Sequence, residues 1–122
     1  APVMDKCLSM LDDLYWDLFY LGPNTHQNFT SVIKGCLLPL YNAFSTHAVA
    51  WSPSGRSKFL NLQWHGRPVD VMIAEKIQPE NACFCSFDFV ATQRTGYSDI
   101  DKKEVVYNYI EERFIKHTEH LR

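Results

Sequence analysis

"FLNLQWHGRPVDVMIA", residues 59–74, decides how the chain is read. Leu60, Leu62 and Trp64 alternate with Asn61, Gln63 and His65; after Gly66-Arg67, Val69, Val71 and Ile73 alternate with Asp70 and Met72. Period-two alternation is the mark of a half-buried strand. A turn at Gly66-Arg67 sets Trp64 against Val69, Leu62 against Val71 and Leu60 against Ile73, so all three pairs share one face. Turn position and pattern agree, and the stretch predicts a β-hairpin. Pro68 has no amide donor, so the turn is an open or longer one.

The flanking residues extend this picture. Beyond "QPEN", Cys83, Cys85, Phe87, Phe89 and Ala91 alternate with Phe84, Ser86, Asp88, Val90 and Thr92, which predicts a third strand over residues 82–93. Upstream, Met4, Cys7, Leu8, Leu11, Leu14, Tyr15, Leu18 and Leu21 recur at helical steps and predict a helix over 4–21, stopped by Gly22-Pro23. Phe29, Val32, Ile33, Cys36, Leu37, Leu40 and Phe44 predict a second helix, broken near Leu38 by Pro39. A last helix is expected from about Asp99 to His120, with Val106, Tyr109, Ile110, Phe114 and Leu121 on its buried stripe and Glu112 and Lys116 as an exposed pair. The expected fold is α+β in two layers: two N-terminal helices, a three-stranded antiparallel meander and a C-terminal helix.

The bulk numbers bound the function. The 122 residues make a single domain, 1–122. Hydrophobic residues at 46% exclude a disordered chain, and a net charge of −2 removes the global basic field of a nucleic-acid binder. No apolar run reaches the ~18 residues of a membrane span, and no signal-peptide pattern is visible. A chain that begins at Ala1 is expected to be a domain excised from a longer protein. Four cysteines on apolar stripes read as reduced thiols, which favours an intracellular location. Asn28-Phe29-Thr30 fits the N-glycosylation pattern, a three-residue match that occurs often by chance.

Candidate chemistry is thin. Cys83, Cys85, His117 and His120 are a poor zinc set, because residues i and i+2 of a strand stand ~6.5 Å apart while structural sites use Cys-x2–4-Cys. No cysteine has a base beside it on an open face, so no thiol nucleophile is expected. No glycine-rich phosphate loop is present. Neither a cofactor nor a metal nor a catalytic residue is assigned.

The aromatic residues stand out. Trp16 and Tyr20 lie four apart among Asp12, Asp13 and Asp17, off the leucine stripe. Phe59, Met72, Phe84 and Val90 fall on the outward face of the expected sheet. Trp and Tyr are common interface anchors, and greasy surface in this amount wants a cover. The leading expectation is therefore a non-catalytic interaction or oligomerisation domain that binds a protein partner or a second copy through Trp16, Tyr20, Phe59, Met72 and Phe84. Two alternatives stand beside it: a ligand-binding or catalytic cleft lined by His65, Asp70 or Asp88, and a weak nucleic-acid module using Arg67 and Arg94.

Overall fold

The computed structural model describes residues 2–33, 35–64, 66–88, 96–98, 103–105 and 108–122. It is a mixed α+β chain, but the elements are arranged differently from the expected meander. The first helix, α1, is Pro2–Leu11. Short strands follow: β1 Leu18–Tyr20, β2 Asn24–Thr25, β3 Leu37–Pro39, β4 Ala43–Phe44 and β5 Val49–Trp51. Two helices come next, α2 Pro53–Leu60 and α3 Val69–Lys76, and then a single 3-10 turn, Gln78–Glu80. Strand β6 is Cys83–Ser86, and β7 Gly96–Ser98 pairs with β8 Lys103–Val105. Helix α4, Asn108–Thr118, runs into a 3-10 turn at Glu119–Leu121.

The main sheet has the order β3-β6-β1-β5, with β1 parallel to β6 and the other two pairings antiparallel. Both of its faces are covered. On one side Leu18, Tyr20, Leu38, Cys83 and Cys85 pack with Phe29, Ile73, Ile77 and Phe114. On the other side Phe19, Leu37 and Phe84 pack with Cys7, Leu11 and Cys36. The cysteine alternation expected at residues 83–85 is present, and it divides side chains between two cores rather than between core and solvent.

This double burial explains why β1 read as helix. A strand covered on both faces is a continuous apolar run, and "LFYL" carries no polar beat to set a period. The second expected helix is corrected as well. Its apolar residues are spread over Phe29, the bend at Gly35, β3 and β4. Gly35 has φ +70, a left-handed conformation that glycine adopts without a Cβ clash. Two buried glutamines then stand in for missing backbone partners. Gln27 donates to the Pro39 carbonyl (3.1 Å) and accepts from the Tyr41 and Asn42 amides (2.8 and 3.0 Å). Gln78 accepts from the Ala43 amide (3.1 Å) and donates to the Ala43 carbonyl (2.9 Å) and the Tyr20 hydroxyl (3.2 Å).

The hairpin about Gly66 is not formed. Ser52 is an N-cap, its Oγ accepting from the Gly55 amide at 3.0 Å, with Pro53 at the first helical position. Pro68 caps α3, and Asp70 lies in its first turn. A proline start signal thus precedes each helix, Pro53 ahead of the stretch and Pro68 within it, and outweighs the period. The last helix is shorter than expected: it keeps Ile110 and Phe114 in the core, and Phe114 meets Phe29 edge to face at 6.1 Å. Val106 and Phe89–Thr92 lie outside the described residues.

Candidate functional site

Apolar side chains stand partly open where β5 runs into α2. Leu21 N–H donates to the Ala48 carbonyl and Ser52 N–H to the Asp17 carbonyl, both at 3.0 Å, and Phe19 pairs with Ala50. In an antiparallel ladder the bonded pairs alternate. Ala50 therefore turns its amide and carbonyl to β1, while Val49 and Trp51 turn theirs to the outer edge. Among the described residues β5 pairs with β1 alone. The Trp51 ring stands over Phe59 of α2 (centroids 5.1 Å apart, edge to face), and Leu60 beyond it is 72% exposed.

A buried charge fixes α2 against β1. Asp17 has no exposed surface; its Oδ2 lies 2.6 Å from Lys58 Nζ, and its Oδ1 accepts from Ser54 Oγ at 2.8 Å. The hydrogen bond that Lys58 donates to Asp17 holds the Lys58 pKa above its ordinary value. Lys58 also reaches Glu80 at 3.4 Å and lies 5.3 Å from the Tyr15 ring centroid. Gly55 rests directly on the Asp17 backbone, where a Cβ would overlap the carbonyl oxygen. The helix backbone comes this close only because residue 55 has no side chain.

The residues expected to form an exposed anchor set do not form one. Tyr20, Met72 and Phe84 are buried, and Trp16 and Phe59 are half-buried. The Tyr20 hydroxyl accepts from Gln78 Nε2, and Phe84 packs beside Cys7 and Leu11. Conversely Leu60 and Trp64, expected inside, are each 72% exposed. For Met72 the inversion follows from the change of period. In helix α3 the adjacent Met72 and Ile73 are both buried, which a half-buried strand does not allow. Trp51 stands at the exposed edge directly before Ser52-Pro53, the helix start signal that places it.

The cleft alternative finds little support in the described residues. His65 and Arg94 lie outside them. Asp70 accepts from the Ser45 amide (3.1 Å) and the Val71 amide (2.9 Å), and Asp88 lies 3.8 Å from Arg122 on the surface. Arg67 pairs with Glu75 at 3.1 Å, both exposed. A depression of ≈ 70 Å³ is lined by Met10, Asp13, Leu14 and Ile33. Its lining offers one carboxylate and no second polar side chain, short of the converging groups that catalysis requires.

All four thiols are free and buried. Burial pushes Cys7 and Cys83 up to about 12 and Cys85 well above the ordinary thiol value. Thiols so placed are inert as nucleophiles at neutral pH. Among the described residues no three of His, Cys, Asp or Glu gather as metal ligands, and no helix is long and apolar enough to cross a membrane.

No protein-family model, no curated protein and no solved structure matches the chain.

Proposed function

We propose that this chain is a non-catalytic self-association domain, and that its contact is the outer edge of β5 with the aromatic shelf of α2 behind it. One observation carries the reading: the outer edge of β5, which no described strand pairs, is complementary to itself. Two copies related by a two-fold axis at Ala50 bring Val49 opposite Trp51 of the second copy, and Trp51 opposite Val49. Val49 and Trp51 both aim their donors and acceptors outward, so each opposed pair closes two hydrogen bonds. Ala50 meets Ala50 at the central, non-bonded pair, where strands approach most closely and a small side chain fits.

The far edge of the sheet is made differently. Strand β3 ends in Pro39, which has no amide to offer a further strand, a common guard on edge strands. Strand β5 has neither a proline nor a charge within it. Four hydrogen bonds do not hold a dimer alone; stable interfaces bury on the order of 1,000 Å² or more in total, so Trp51, Phe59 and Leu60 supply the apolar part.

Light scattering on a size-exclusion column tests this. The expected result is a dimer at tens of micromolar (an order of magnitude typical of modest interfaces) and a monomer for Val49→Pro, which removes an outward amide and leaves the bonds to β1 intact. Trp51→Glu is the second probe. A wild-type monomer at every concentration, or a dimer that both variants keep, overturns the reading.

A further inference from the structure

Away from β5, the segment Asn24–Phe29 runs beside α4, and the side chains that meet there are cationic or neutral. Arg113 Nη1 donates to Asn24 Oδ1 at 2.6 Å and contacts His26 Nε2 at 3.0 Å. A guanidinium only donates, so His26 Nε2 is an acceptor and the ring is neutral, with its proton on Nδ1. One helical turn further on, His117 Nδ1 lies 2.9 Å from Asn28 Oδ1. An amide oxygen only accepts, so Nδ1 carries the hydrogen and Nε2 is left for another partner. The Tyr109 ring lies against the guanidinium, 5.2 Å from centroid to Cζ.

Arg113 is thus held on one edge by Asn24 and His26 and on one face by Tyr109. Both hydrogen bonds it makes among the described residues leave from Nη1, so the Nε–Nη2 edge is the one that remains. That edge is the fork that takes two oxygens of one oxyanion. No carboxylate answers this charge among the described residues: the ion pairs there belong to Lys58, Arg67 and Arg122. Burial lowers the His26 pKa, and the charged groups that act on it in the same direction are Arg113 and His117. Beside them in the chain, Thr25 Oγ1 is buried with no hydrogen-bond partner.

We propose that Arg113, His26 and His117 form a binding site for a phosphate-class oxyanion, seated on the Nε–Nη2 edge of Arg113. Arg113 and His117 are four residues apart on one helix, so their side chains rise from the same face about 5–6 Å apart at Cβ. A tetrahedral hydrogen phosphate gives two oxygens to the guanidinium and has a P–OH that can donate to the His117 Nε2 lone pair, which an ionised carboxylate cannot. The site lies on β2 and α4, separate from the edge of β5, and stands or falls independently of self-association.

The test is titration of the intact chain with inorganic phosphate at constant ionic strength, followed by the ring proton signals of His26 and His117 in NMR. Saturable shifts are expected with phosphate and not with chloride. Arg113→Gln is expected to weaken binding about tenfold or more, the scale of a lost charge-assisted bidentate contact. Because Arg113 also holds Asn24, His117→Gln is the second variant, expected to weaken binding while the thermal unfolding midpoint is kept. Sedimentation with phosphatidylcholine vesicles containing phosphatidic acid separates the sources: binding to vesicles alone assigns a lipid headgroup, and binding to free phosphate assigns a soluble ligand. Shifts that chloride reproduces, shifts that neither variant alters, or no response to phosphate and vesicles alike overturn the site.

Discussion

Lys58 Nζ lies 2.6 Å from an Asp17 carboxylate that solvent does not reach. The pair joins α2 to the start of β1, across 41 residues of chain. Removing one partner of a buried ion pair leaves the other charge without compensation, which costs more than the pair contributes when intact. Lys58→Met is expected to destabilise the fold by about 2–4 kcal/mol, somewhat under the ~3–5 of a fully buried pair because Ser54 still donates to Asp17. Urea unfolding monitored by circular dichroism measures it. The double variant Asp17→Leu with Lys58→Met is expected to lose less than Lys58→Met alone; an equal or larger loss would refute the buried-charge account.

Gly55 makes the same junction from the backbone side. A methyl group there collides with the Asp17 carbonyl, and a main-chain atom cannot swing aside as a side chain does. Gly55→Ala ordinarily favours a helix by about 1 kcal/mol. Here the sign is expected to reverse, with a net loss of about 1–3 kcal/mol from overpacking. A midpoint in urea at or above that of the wild type is the contrary result.

The same junction shows what the sequence makes legible. The mixed α+β class, one helix near each end and the strand at Cys83–Ser86 follow from hydrophobic pattern, because those segments have one dominant period. Residues 59–74 do not, because period two arises there by coincidence across the end of α2, the connecting residues and α3, and the helix start signals are Ser52-Pro53 and Pro68. Reading those prolines as helix starts rather than as loop and turn residues recovers α2 and α3. Tyr20 and Phe84 are buried for a different reason. A sheet covered on both faces has no wet side, so alternation along it separates two cores, and neither set of residues is outward. Nothing local announces Gln27 and Gln78 as surrogate backbone, since their partners lie 12–15 and 35–58 residues away.

The buried cysteines make a direct test of the core. Cys7, Cys83 and Cys85 sit at 0–1% exposure and Cys36 at 5%. A disulfide reagent such as Ellman's is expected to titrate none of the four within minutes at pH 8 in native buffer and all four in urea. The native rate is then limited by opening of the fold, and its logarithm should rise in Lys58→Met in proportion to the lost stability if opening is global. Rapid native reaction of Cys83 or Cys85 would place β6 at the surface and contradict the two-faced sheet.

The ionisable groups of that core also set a pH limit. Burial raises the Cys7 and Cys83 thiols to about 12, raises Cys85 well above its ordinary value, and raises the Tyr20 hydroxyl; Asp17 raises Lys58. In each case the folded chain holds its proton more tightly than the unfolded chain, so between the two values the native state binds more protons. Stability then falls as pH rises. The contribution is fully present below pH 9.0, the unfolded thiol value, and drains away as pH climbs toward about 12. Thermal midpoints are expected to decline steadily above pH 9. Replacing Cys83 with Ala is expected to flatten the alkaline slope, since the native and unfolded chains then differ by one fewer bound proton. An unchanged slope in Cys83→Ala would show that the thiol is solvated in the native state.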